Sequence, residues 1–156
     1  MNLEIERKFL VHGDFKEQAI KSYKIAQGFL STVPERTVRV RIKDAKGFIT
    51  VKGIGNESGT TRFEWEKEIN IEDAINLLEL CEPTIIEKVR YIIPSEKGLF
   101  FEVDAFLGEN EGLVIAEIEL PSENFKFKKP DWLGEEVTGK KKYYNSMISK
   151  KPFSKW

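Results

Sequence analysis

The chain opens with Met1-Asn2-Leu3-Glu4-Ile5-Glu6-Arg7-Lys8-Phe9-Leu10-Val11, and the alternation in this stretch decides the fold. Glu4, Glu6 and Lys8 fall at every second position, while Leu3, Ile5, Phe9 and Val11 take most of the positions between. Successive side chains of a strand point to opposite faces. The segment therefore reads as a strand with two carboxylates and an ammonium on one face and apolar side chains on the other.

The same pattern returns along the chain. Strands are expected at about residues 36–43, 47–53, 61–69, 86–93, 99–105 and 113–120, with a shorter one near 24–30. Gly-containing breaks separate them: a tight hairpin at Ala45-Lys46-Gly47, a longer loop from Gly53 to Gly59, and turns near Gly98 and Gly108–Gly112. Helical periodicity is confined to three places. Residues 71–80 put Ile71, Ala74, Ile75, Leu78 and Leu80 largely on one side behind an Asn70 N-cap. Residues 14–22 suggest a short helix capped by Asp14. Residues 139–149 suggest a C-terminal helix that begins at Lys140-Lys141-Lys142, an unfavourable start for the helix dipole. Residues 121–138 contain Pro121, Pro130 and Gly134 and are expected to wander. The whole chain, 1–156, reads as a single domain of mainly β structure in the α+β class, and so many antiparallel strands suggest a barrel or a sandwich.

Composition narrows the chemistry. With 25 Lys+Arg against 26 Asp+Glu the net charge is −1, which argues against a general nucleic-acid binder. The single cysteine, Cys81, excludes an intrachain disulfide and favours a reducing compartment, so a cytoplasmic location is expected. The single histidine, His12, excludes His-rich metal ligation; any metal would be a hard ion held by oxygen. No apolar run approaches the roughly 18 residues that a membrane span requires. His12 reads as a surface turn residue, Cys81 and Trp65 as packing; Trp132 and Trp156 receive no assignment.

The charged faces admit two readings. Arg39, Arg41 and Lys43 share one face of their strand. Lys52, then Arg62, Glu64, Glu66 and Glu68, then Lys88 and Arg90, then Glu102 and Asp104, then Glu117 and Glu119 repeat the arrangement. A solvated outer face would explain each strand singly, with cross-strand ion pairs contributing about 0.2–1 kcal/mol each. It explains less well why like charges, such as Arg39 with Arg41 or Glu117 with Glu119, recur in pairs. The alternative places that face inside a closed, water-filled barrel, where a polyanion and divalent cations would compensate both signs.

At this point the sequence resembles a known family. Glu4-Ile5-Glu6-Arg7-Lys8 matches the ExExK signature of the CYTH superfamily, the triphosphate tunnel metalloenzymes. The resemblance continues through Gln27-Gly28, Arg39-Val40-Arg41, Thr50-Val51-Lys52, Arg62/Glu64/Glu66 and Glu87-Lys88-Val89-Arg90-Tyr91. It extends through Phe101-Glu102-Val103-Asp104, Ala116-Glu117-Ile118-Glu119 and Gly134-Glu135-Glu136-Val137-Thr138. It implies an eight-stranded antiparallel closed β-barrel with a few outer helices and a C-terminal helix. It also implies hydrolysis of a triphosphate, foremost inorganic tripolyphosphate, with Mg²⁺ or Mn²⁺ as one or two ions.

Carried over by position, Lys8, Arg39, Arg41, Lys52, Lys88, Arg90 and Lys142 bind substrate. Glu4, Glu6, Glu64, Glu66, Asp104, Glu117 and Glu119 serve metal. Lys8, Arg41, Lys52 and Glu66 form the catalytic set. Lys140 and Lys142 depart from the family, which favours an acidic residue and an arginine there. The same resemblance leaves open a class IV-type adenylate cyclase, a thiamine or nucleoside triphosphatase, and a noncatalytic polyphosphate sensor. A small-molecule triphosphate is the expected partner, with no nucleic acid or membrane; monomer and homodimer both remain open.

Overall fold

The computed structural model describes residues 2–156. Nine strands lie in the order β5-β4-β3-β2-β6-β7-β8-β1-β9, and β5 pairs back onto β1, so the first eight close a barrel. They are β1 (Leu3–Val11), β2 (Lys21–Ser31), β3 (Thr37–Lys43), β4 (Lys46–Lys52), β5 (Thr61–Ile69), β6 (Ile86–Pro94), β7 (Phe100–Phe106), β8 (Val114–Glu119) and β9 (Leu133–Glu136). All pairings are antiparallel. The closing ladder joins Leu3–Ile5 to Thr61–Phe63, and β9 adds to β1 further along, at Phe9 and Val11. A barrel, not a sandwich, is the outcome. No helix among the described residues is long and apolar enough to cross a membrane.

Two apolar layers hold the barrel. Outside, Phe9, Phe101, Val103, Ala116, Ile118 and Leu120 face a cover formed by Phe15, Trp132 and Leu133. Trp132 stacks edge-on to Phe101 at 5.1 Å between ring centres, which gives it the place in the core that the sequence did not assign. Helix α1 (Ile71–Leu80), capped by Asn70 as expected, packs over β3 and β4. A Cβ at Gly47 would sit 2.6 Å from the Ala74 Cβ, so glycine permits that close approach. The second layer lies inside. Phe29, Ile86, Phe106, Leu113 and Ile115 meet Ile148 of the C-terminal segment and seal one end of the barrel.

Four local expectations shift. The β3–β4 hairpin turns at Asp44-Ala45, where Asp44 has φ 53°, and Gly47 already lies in β4. Residues 14–22 form only a turn at Lys16–Gln18 without an Asp14 cap, and β2 begins at Lys21. Sheet pairing of Lys21 with Ile92 and burial of Phe15 against Tyr91 and Trp132 outweigh a short helix. Residues 133–136 form β9 because β1 extends beyond its pairing with β5 and offers Phe9 and Val11 to Glu136 and Leu133. The C-terminal helix breaks up: Tyr144 is extended, with ψ 137°, and only α2 (Asn145–Ile148) is α-helical after a single 3₁₀ turn.

Candidate active site

The pleat turns one charged face of each strand inward. Even-numbered positions of β1 and odd-numbered positions of β3 meet across the lumen because the register pairs Glu4 with Arg62, Thr37 with Lys52 and Arg39 with Thr50. The result is an enclosed cavity of about 240 Å³. Lys8, Arg39, Arg41, Lys43, Lys52, Arg62, Lys88 and Arg90 line it together with Glu4, Glu6, Glu64, Glu66, Glu102, Glu117 and Glu119. Eight cationic groups against seven acidic ones leave the wall nearly balanced, and the signs are sorted in space.

One sector is cationic. Arg41 lies 3.2 Å from Glu66 and Arg39 lies 3.7 Å from the same oxygen, which also accepts from Thr50 at 2.8 Å. Glu66 is lowered despite its partial burial, because Thr50 donates to it and both guanidinium groups face it. Arg39 is pushed down to about 9 by burial and by the charges of Arg41 and Arg90. The Nε atoms of Arg39 and Arg41 are buried and have no acceptor. Buried donors are normally paired, so two guanidinium groups with donors left over beside a cavity suit an anion there.

The opposite sector is acidic. Glu6 stands across from Glu119, and Glu117 across from Lys8 and Glu102. Burial, then the charge of Glu117, raise Glu6 well above the usual carboxylate range, while Lys8, Arg90 and Lys88 hold Glu117 well below it. Glu119 is raised by burial and by Glu4 and Glu102. Glu64 is pushed up to about 7 by burial and by a hydrogen bond to Glu4. Burial acts on Glu4 in the same sense, but Lys52 at 3.0 Å and Arg62 at 3.6 Å outweigh it and hold it at about 2.

Carboxylates held together in this way are a donor set suited to a divalent cation, whose charge would offset their mutual repulsion. Among the described residues no three of them form a closed cage. A divalent ion held by one or two carboxylates would take its remaining oxygens from phosphate and water. Glu6 and Glu117, with Glu119 beside them, are the residues that would hold it.

Two expected site residues sit elsewhere. Asp104 is 1 % exposed and does not line the cavity. Its oxygens accept from Lys88 at 2.7 Å and from Arg90 at 2.7 and 2.8 Å, so the carboxylate is engaged by two buried cations inside the wall. Lys142 is exposed on the outside, its ammonium 4.3 Å from the centre of the Trp156 ring. Arg62 and Lys43 join the lining, and the parity of their strands already carried that signal. Tyr144, Asn145 and Ser146 also join it, and nothing in their local sequence shows this. Lys8 lies 5.3 Å from the Tyr144 ring centre and Arg62 5.9 Å, so this aromatic ring spans two substrate-side cations.

A closed barrel whose lumen sorts arginine and lysine against paired carboxylates defines a phosphate-handling tunnel protein. The sequence profile of the CYTH domain matches residues 2–152, and the chain belongs to the CYTH family. An inorganic triphosphatase of Acetivibrio thermocellus is 51% identical over 154 residues, 98% of this chain and 97% of its own length. One from Nitrosomonas europaea is 35% identical over 149 residues, 94% of this chain and 96% of its own length. A solved inorganic triphosphatase structure superposes with a TM-score of 0.67 at 32% identity, covering 96% of this chain and 95% of that one.

Proposed function

We propose that the protein is a divalent-metal-dependent triphosphatase that cleaves inorganic tripolyphosphate to pyrophosphate and orthophosphate. One observation carries the reading. Arg39 and Arg41 present buried, unaccepted N–H groups in the wall of a cavity whose other side holds the neighbouring carboxylates Glu6, Glu117 and Glu119. A linear polyanion paired with a divalent ion matches both halves. Two relatives that carry the name inorganic triphosphatase, aligned over nearly the whole chain, support the choice of substrate.

In this reading Arg39, Arg41, Lys8, Lys52 and Lys88 grip the phosphate oxygens and stabilise the charge that develops on transfer. Glu66 acts through the arginines, which it holds at 3.2 and 3.7 Å. Arg90, bound to Asp104 and 3.1 Å from Glu102, braces the acidic wall more than it meets substrate. Glu6 and Glu117 hold the metal, with Mg²⁺ and Mn²⁺ as the candidates and room for a second ion nearer Glu119 and Glu64. Bound there, the ion supplies Lewis acidity toward phosphate oxygens and water. A single cysteine accords with work in the cytoplasm.

The test is direct. Purified protein with Mg²⁺ or Mn²⁺ is given tripolyphosphate, ATP and thiamine triphosphate, and products are resolved by ion chromatography. Equal amounts of pyrophosphate and orthophosphate from tripolyphosphate are expected. Cyclic AMP from ATP, or no turnover with any substrate, would overturn the reading.

A further inference from the structure

The C-terminal segment supplies a side chain to the cavity that no motif marks. Asn145 lines the lumen beside Tyr144 and Ser146. Its Oδ1 accepts from Gln27 Nε2 at 2.7 Å and from Lys88 Nζ at 3.0 Å. An ammonium can only donate, so the Lys88 contact fixes which end of the Asn145 amide is oxygen. Both partners are sealed in the wall: Gln27 is 0 % exposed and Lys88 is 1 % exposed. The carbonyl end of Asn145 is therefore consumed, and its Nδ2 has no protein partner among the described residues.

The position is equally informative. Lys88 and Gln27 border the apolar cluster inside the barrel: Phe106 lies opposite Lys88 in register, Ile86 opposite Gln27, and Phe29 two residues on from Gln27. The Lys88 ammonium lies 5.3 Å from the centre of the Phe106 ring. Ile148, one helical turn beyond Asn145 and 0 % exposed, plugs that apolar end. The Phe153 amide donates to Asn110 Oδ1 at 2.8 Å and ties the segment down further. Asn145 is thus anchored to Gln27 and Lys88 where the cavity lining meets the apolar cluster.

We propose that Asn145 is a substrate-positioning residue: it locks the Lys88 ammonium in place and offers its own amide N–H groups to a phosphoryl oxygen at the closed end of the cavity. The task that the family resemblance gives to a basic residue of the C-terminal helix falls in this chain to a neutral amide, while Lys142 lies outside. A neutral donor suits this spot, because the Lys88 charge is already present 3.0 Å away and a second buried cation would face it without compensation.

The inference rests on the triphosphatase reading, and the experiment separates the two. Asn145→Asp keeps an acceptor for Lys88 and Gln27 and turns the donor into an anion. Asn145→Ala removes both without adding charge. Each full-length variant is compared with the parent by melting in EDTA, by calorimetric titration with tripolyphosphate in EDTA, and by kcat and KM with Mg²⁺. Asn145→Asp should melt at or above the parent temperature and bind tripolyphosphate at least tenfold more weakly without metal. Asn145→Ala should weaken binding at least fivefold. Both should raise KM by more than they lower kcat. Binding and KM within twofold of the parent in Asn145→Asp, with unchanged melting, overturn the proposal. A parent that binds tripolyphosphate in an Asn145-dependent way yet never hydrolyses it would sink the proposed reaction and leave this assignment standing.

Discussion

Asp104→Asn isolates a carboxylate that holds the barrel wall from those that face its contents. In the parent, Asp104 accepts from Lys88 at 2.7 Å and from Arg90 through two bonds at 2.7 and 2.8 Å, and all three side chains are at most 9 % exposed. The asparagine is the same size, so packing is unchanged and the perturbation is the charge. Removing one partner of a buried ion network leaves uncompensated cations and costs about 3–5 kcal/mol. Arg90 keeps Glu102 at 3.1 Å, and Lys88 keeps Asn145 at 3.0 Å, so the lower end of that range applies. At about 2–4 °C per kcal/mol for a chain of this length, about 3 kcal/mol lowers the melting temperature by about 6–12 °C. Calorimetry in EDTA at pH 7 measures it free of metal linkage.

The pH dependence supplies a second arm. Burial would raise Asp104, but Arg90 and Lys88 outweigh it, so the folded-state value lies below the ordinary one. Its stabilisation is present above the ordinary Asp value and is lost as pH falls through the folded one. The difference between parent and Asp104→Asn should therefore shrink on acidification. A variant that melts within about 2 °C of the parent at pH 7 would refute the reasoning, because the two buried cations would then need no counter-ion.

Further outcomes follow from the same geometry. Glu6→Gln should raise the metal-free melting temperature while abolishing Mg²⁺-dependent phosphate release, as a carboxyl raised by burial and by Glu117 opposes folding once ionised. The sign follows: with the folded value above the unfolded one, parent stability in EDTA falls as pH rises through that window, and Glu6→Gln should flatten the slope. Trp132→Ala, at a site 3 % exposed against Phe101 and Phe15, should cost about 3–5 kcal/mol by urea unfolding while the remaining folded protein keeps its KM. Lys142→Ala should leave kcat/KM within about twofold of the parent, since that ammonium rests on Trp156 outside the barrel; a loss of an order of magnitude or more would return it to the tunnel.

Period-2 alternation made most of the site readable. A strand puts every second side chain on one face whatever its partner is, so Glu4, Glu6 and Lys8 share a face as a property of the chain alone. The same holds for Arg39 with Arg41, for Glu64 with Glu66, and for Glu117 with Glu119. The α1 helix was likewise local, written in its period and in Asn70. What periodicity cannot say is which face closes inward; that required β5 to return to β1 and complete the barrel. Nor can it distinguish Asp104 from Glu102, which share a face. Only the register that sets Arg90 opposite Asp104, with Lys88 beside it, turns one into a structural anchor and leaves the other on the cavity.

The C-terminal segment marks the limit most clearly. Its sequence favours a continuous helix led by three lysines, and the family resemblance implies that Lys142 enters the tunnel. Burying Ile148 in the apolar end, together with the Tyr144 ring beside Lys8 and Arg62, breaks that helix and turns Asn145 inward instead. The sequence by itself determined the strands, the sign of each face and the chemistry the faces suit, because these depend on neighbours along the chain. Which charges meet, which are spent on each other and which stay free for a phosphate came from the folded barrel, because those depend on contacts between different strands and segments, from Arg90 with Asp104 to Gln27 with Asn145.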